Sequence, residues 1–139
     1  AMQSTSGAAF STYVGQQFEE MCVQWLVREC KEARMAFLPT AIGKWWGNDP
    51  QAKAQADIDI VMEDSINKQL LLGECKWRNT VNESETIATL QSRSPLIKSN
   101  YARQYVLFTK YKAGDATIAK AEQDNSLKLV DAEHMFFER

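Results

Sequence analysis

The sequence predicts an α/β domain with a mixed central β-sheet and helices on its faces. Three observations predict it. One long amphipathic stretch stands near the start, two apolar runs of strand length follow in hairpin order, and helical and strand-like segments alternate from there to the end. The 139 residues suffice for one hydrophobic core and are short for two. Hydrophobic residues at 45% and charged residues at 24% suit a soluble globular domain.

Residues 10–34 predict a helix. Val14, Phe18, Met21, Cys22, Trp25 and Leu26 recur at three- and four-residue steps and form one stripe to bury. Ser11 or Thr12 can cap its start. Glu19 lies at the edge of that stripe, whereas Glu20 points further out. The run "MAFLP" (35–39) predicts a first strand, ended by Pro39. Residues 40–55 carry Gly43, Gly47, Asn48-Asp49 and Pro50, and predict a loop or loose hairpin. "IDIVM" (58–62) and "LLLG" (70–73) predict two strands. In "NTVNESETIATLQSRS" (79–94), Asn82 and Glu85 have capping-box spacing, and Ile87 and Leu90 supply the apolar face of a helix that Pro95 ends. "QYVLFTK" (104–110) predicts a strand buried on both faces. A short helix over 114–123, a strand "LKLV" (127–130) and a terminal segment with Met135, Phe136 and Phe137 complete the order. Ala1 ahead of Met2 does not read as a native start. Residues 1–8 are therefore expected to be a cloning remnant or a disordered N-terminus, and residues 9–139 a single domain cut from a longer protein.

Several classes are excluded. No apolar run approaches the roughly 20 residues of a transmembrane helix, and no signal peptide is visible. Cys22 and Cys30 share the first predicted helix, about 12 Å apart along its axis, too far to bridge. An odd count of three cysteines, no C-x-x-C and one histidine argue against a zinc site and for a reducing cytoplasm. The net charge of −2 gives no global case for nucleic acid. Its distribution is uneven: residues 1–75 sum to −4, residues 76–112 to +5 and residues 113–139 to −3. A basic middle can meet a phosphate backbone or be a solvated face.

The hairpin "QADIDIVMEDSINKQLLLGECKWRN" (55–79) is the unusual stretch. With residues 65–68 as a four-residue turn, Asp64 pairs with Gln69, Asp59 with Glu74 and Asp57 with Lys76. Alternation then sets Asp57, Asp59, Glu74 and Lys76 on one face, and Ile58, Ile60, Leu71, Gly73, Cys75 and Trp77 on the other as core. Opposed carboxylates repel across a strand pair and need a cation or a raised pKa. Mg²⁺ or Mn²⁺ supplies the first, because hard cations take carboxylate oxygens. Lys76 can steady a water or phosphate charge, Asp57 can support Lys76, and Glu19 can reach the same face. A salt-bridged, solvent-facing hairpin is the plainer alternative, but it would set a lysine opposite each acid. The pattern points to metal-assisted phosphodiester hydrolysis.

"D-I-D" followed fifteen residues later by "E-C-K" resembles the motif of the PD-(D/E)XK nuclease superfamily, with Asp59, Glu74 and Lys76 as its residues. The blocks "YVGQQFEEM", "IGKWWG", "DIDIV" and "LLGECKW", in this order, resemble the nuclease-like C-terminal domain of a group of prokaryotic P-loop ATPases. The resemblance implies a restriction-endonuclease-like αβββαβ core. It implies Asp59 and Glu74 as metal ligands, with the Cys75 carbonyl as a further ligand, Lys76 as the catalytic lysine and Glu19 as the helix acid. It also implies DNA as substrate and an ATPase domain on the same or a partner chain; no Walker A motif stands in these residues. The alternative is an inactive nuclease-like module that binds DNA or a partner ATPase; a purely protein-contacting regulatory domain is a third reading.

Other residues are weighed singly. Trp45 and Trp46 can stack on bases beside Lys44, or pack under their loop; packing is expected for one of them, and Trp46 is taken as the stacking candidate. Arg78, Arg93 and Lys98 can contact phosphates or simply be exposed. Trp25 and Trp77 are expected in the core, His134 in a structural role, and the Cys75 thiol on the core side, not as a nucleophile.

Overall fold

The computed structural model describes residues 2–137. Helix α1 (Met2–Lys31) is followed by strands β1 (Ala41–Asp49), β2 (Ala54–Asp64) and β3 (Gln69–Lys76). Helix α2 (Glu83–Arg93), a 3₁₀ turn at Ser94–Leu96 and β4 (Ala102–Thr109) come next, then α3 (Asp115–Gln123), β5 (Leu127–Asp131) and α4 (Ala132–Phe137). The five strands form one open sheet in the order β1-β2-β3-β4-β5. β1, β2 and β3 are antiparallel neighbours, and β3, β4 and β5 run parallel. The sheet is thus mixed, as the sequence predicts. Two-residue to four-residue turns suffice for the antiparallel half, whereas each parallel step needs a crossover, supplied by α2 and α3.

Both faces are covered. Under α1 and α4 lie Phe18, Cys22, Trp25 and Leu26 with Ile60, Met62, Leu71, Phe108 and Met135. Under α2 lie Ile58, Leu70, Leu72 and Leu90. Ile87 joins Leu107 and Leu127 nearby, with Ala121 of α3 packed against them. Removing a fully buried side chain such as Leu71 costs about 2–5 kcal/mol. The stripe on the first helix is the one the spacing predicts, except that Met21 stays exposed. Trp25 is buried, with His134 edge-on to its ring at 5.9 Å. Trp77 departs from its expected core role: it is 36% exposed and lies tilted against Phe18 at 4.9 Å.

Three elements differ from the sequence expectation. Helix α1 begins at Met2, eight residues ahead of the expected start at residue 10 and within the stretch expected to be a remnant or disordered, and it ends at Lys31 instead of residue 34. Residues 35–39 form no strand; Met35 and Phe37 pack beneath α1 as irregular chain, with Phe37 N bonded locally to Met35 O at 2.9 Å. The first strand is instead Ala41–Asp49, which reads as a loop because of its glycines and its Asn-Asp-Pro end. It is an edge strand, largely exposed, and therefore lacks the apolar alternation of a half-buried strand. Gly47 is needed there, because a Cβ at that position would come 2.9 Å from the Trp45 ring. Trp45 is the tryptophan that packs inward, and Trp46 is 71% exposed.

The hairpin register is the predicted one. Ile60 pairs with Gly73, Val61 with Leu72, Met62 with Leu71 and Asp64 with Gln69 across the 65–68 turn. The capping box also forms: Asn82 Oδ1 accepts from Glu85 N at 3.2 Å, and Asn82 Nδ2 donates to Glu85 Oε2 at 3.1 Å.

Candidate active site

The β2–β3 ladder stops at Ile60–Gly73, one pair short of the acids. Two local features cause this. The β1–β2 register shifts between Gly43 and Trp45, so that Asp59 and Ile60 together stand opposite Lys44, a bulge on β2. Beyond it Ile60 packs under α1 while Ile58 packs under α2, so the strict alternation expected for Ile58 and Ile60 is broken. The second feature is the Asp59 side chain, whose Oδ2 accepts from Cys75 N at 2.9 Å. A carboxylate takes the place of a backbone carbonyl as the acceptor between the strands.

Into the opening that results project Glu19 from α1, Asp57 and Asp59 from β2, Glu74 and Lys76 from β3, Arg78 from the following loop and Arg93 from α2. Glu74, Lys76, Arg78 and Arg93 also line an adjoining hollow along α2, beside Asn82, Glu85 and Thr89. The Glu74 and Asp59 carboxyls line the same cleft, close enough for Asp59 to act on the Glu74 proton. Lys76 Nζ lies 3.5 Å from Glu74 Oε1. Asp57 does not support Lys76; it is tied to Arg93 Nη1, 2.7 Å from its carbonyl and 3.7 Å from its carboxylate, and to Lys44 at 3.8 Å.

The electrostatics follow from this crowding. Burial and the nearby Asp59 carboxyl push the Glu74 carboxyl up to about 8, against the opposing pull of Lys76. Burial and the charge of Asp59 raise Glu19 as well. Partial burial pulls the Lys44 ammonium down, but Glu19, Asp59 and Asp57 outweigh it and hold it above the ordinary lysine value.

The sequence-predicted residues are therefore brought together in large part. Asp59, Glu74, Lys76 and Glu19 share the cleft, and Arg78 and Arg93 line it. Cys75 borders it with its backbone while its thiol packs toward α1; a hydrogen bond with Cys22 and burial push that thiol well up, so it stays neutral. Lys44 points at the acids, 3.4 Å from Glu19, and not outward beside Trp46. Lys98 lies away from the cleft, next to Arg103. What sequence reading missed is the place of Lys44, which only a strand assignment for residues 41–49 would have revealed. An apolar hollow between α3 and β5, lined by Leu107, Ile118, Leu127 and Leu129, contains none of these groups, and none of its charged residues is buried.

The donor set suits a hard cation: two nearly buried carboxylates side by side, all oxygen, with Glu19 across from them. Among the described residues no three His, Cys, Asp or Glu side chains are arranged as a ready-made metal cage. Mg²⁺ characteristically takes one or two carboxylates and keeps waters, so a pair fits it.

Residues 2–87 match the DUF234 family, described as archaea bacterial proteins of unknown function. The chain belongs to the DUF234 family. The matched span contains Glu19, Lys44, Asp57, Asp59, Glu74 and Lys76, and ends within α2 before Arg93. Among solved structures, this DUF234 chain is similar to protein VC1899 from Vibrio cholerae, with a TM-score of 0.53 and 17% identity over 70% of this chain and 25% of that one. That likeness concerns the fold, and the chain spans about a quarter of the length of VC1899. No curated protein matches it. Among the described residues no helix is long and apolar enough to cross a membrane.

Proposed function

We propose that this chain is a divalent-metal-dependent nuclease domain that hydrolyses DNA phosphodiester bonds. The observation that carries the reading is the convergence of Asp59, Glu74 and Lys76, from two adjacent strands, on one polar cleft with Glu19 opposite. The resemblance of "D-I-D" and "E-C-K" to the PD-(D/E)XK motif supports it. In this reading Asp59 and Glu74 hold Mg²⁺ or Mn²⁺, with the Cys75 carbonyl as a further ligand. When bound, the ion supplies Lewis-acid polarisation of a phosphoryl oxygen and a more acidic water. Glu74 must then give up its proton. Lys76 orients the attacking water and offsets charge on the phosphate. Arg78 and Arg93 line the path by which a phosphate backbone reaches the acids, and exposed Trp46 offers a stacking face outside the cleft. The cytoplasm is the expected compartment, and an ATPase domain the expected companion.

The test is nicking of supercoiled plasmid DNA with Mn²⁺, wild type against Lys76→Ala. The expected result is Mn²⁺-dependent nicking that drops about 100-fold or more in the variant. Equal nicking by both proteins would remove Lys76 from the chemistry.

One observation favours a second reading, a nuclease-like module that binds DNA or a partner ATPase without cutting. The acids already have partners in the protein: Lys76 lies 3.5 Å from Glu74, and Lys44 lies among the others. Calorimetric titration with Mn²⁺ separates the two, since the module gives no binding heat.

A further inference from the structure

The cleft carries a cation of its own. Lys44 stands opposite the Asp59–Ile60 bulge, and its Nζ lies 3.4 Å from Glu19 Oε1, 3.8 Å from Asp57 Oδ2 and 3.8 Å from Asp59 Oδ1. Lys44 donates to Glu19 and also lies within ion-pair distance of Asp57 and Asp59, so its ammonium stands between three carboxylates from two elements as a shared counter-ion. Lys76, by contrast, is paired with Glu74 and with no other acid among the described residues. The anchoring of Lys44 also differs from that of the acids. It sits on the outermost strand, where no further strand restrains it, and its side chain is more than one-third exposed. The four-carbon stem can swing out along that open edge without disturbing the sheet.

We infer that Lys44 is a built-in placeholder cation: it is the shared counter-ion of Glu19, Asp57 and Asp59 in the metal-free protein and is displaced outward when a divalent ion enters beside Asp59. This deepens the metal-centre reading and rests on it. Lys44 is a positioning residue here, not a catalytic one. Its presence keeps the acids gathered and lowers the cleft's affinity for metal, so the site fills only when metal, alone or with a phosphate-bearing substrate, competes successfully with the ammonium. A unit positive charge left about 6 Å from a divalent ion, screened as in bulk water, still weakens its binding by about tenfold.

The test uses chelator-stripped protein of the wild type, Lys44→Met and Lys44→Arg. MnCl₂ is titrated calorimetrically, and thermal midpoints are recorded with and without Mn²⁺. Lys44→Met is expected to bind Mn²⁺ about tenfold more tightly than wild type. Its metal-free midpoint should fall, because the acids lose their counter-ion, and Mn²⁺ should raise that midpoint more than it raises the wild type's. Lys44→Arg keeps the charge, should behave as wild type, and stands in should the Met variant not fold. If wild type binds Mn²⁺ and Lys44→Met binds it no more tightly, displacement is overturned while the metal centre stands. An unchanged metal-free midpoint in Lys44→Met overturns the counter-ion role. If no variant binds Mn²⁺, the metal reading fails and the displacement falls with it.

Discussion

The two ends of the β2–β3 hairpin bury carboxylates in opposite ways. At the turn, Asp64 is wholly buried and accepts from Leu38 N, Ile66 N, Asn67 N, Asn67 Nδ2 and Gln69 Nε2, at 2.8–3.1 Å. Burial disfavours its charge, but donors from Asn67, Gln69 and Leu38 outweigh that and hold it far below the ordinary carboxylate range. At the open end, Glu74 is also buried, yet its neighbours are other acids and its pKa goes up. Burial is common to both. What decides the charge state is whether the protein supplies N–H donors or more carboxylates. A buried acid with a full set of donors is a structural staple, and one facing other acids is a place that asks for a cation from outside. The comparison separates a residue that builds the hairpin from residues that use it.

The comparison can be tested from both sides. The largest expected effect is at the turn. Asp64→Ala strands five donors, two of them from side chains, and should lower the thermal midpoint by roughly 10 °C or prevent folding, with no dependence on Mn²⁺. Glu74→Gln should act in the opposite sense. A raised carboxyl pKa means that the folded state gains stability from the Glu74 proton below about pH 4.5, and loses that contribution as pH rises through about 8. Metal-free Glu74→Gln should therefore melt about 5 °C above wild type at pH 8.5 and within about 1 °C of it at pH 4.5. A lower midpoint for the variant at pH 8.5 would show that Glu74 is charged and satisfied, like Asp64. The smallest effect lies outside both ends. Asn82→Ala removes the N-cap of α2 and should cost about 1 kcal/mol in urea unfolding, with the Mn²⁺ response unchanged.

Much of this was legible in the residues. The hairpin register followed from turn length and from the pairing of Asp64 with Gln69, and the cap of α2 from Asn82 and Glu85, because both are local rules with fixed spacing. The acids and Lys76 were found because charge inside apolar runs is improbable without a purpose. β1 was not legible. An exposed edge strand has no burial pattern to read, and Gly47 is there for the Trp45 ring, not for a turn. Losing β1 lost Lys44 as a member of the site. The bulge on β2 was equally hidden, since one extra residue leaves no mark in composition, yet it sends Ile58 and Ile60 to different layers and ends the ladder where the acids gather. The apolar run "MAFLP" misled because core contacts alone do not make a strand; Leu38 N bonds to Asp64 Oδ2 and not to a neighbouring strand.

The most direct test of the central claim is anomalous diffraction from crystals grown with Mn²⁺. One peak in contact with both the Asp59 and Glu74 carboxylates, with the Lys44 ammonium turned out of the cleft, is the predicted result. Manganese absent from this position at saturating concentration, with Lys44 still among Glu19, Asp57 and Asp59, would contradict it.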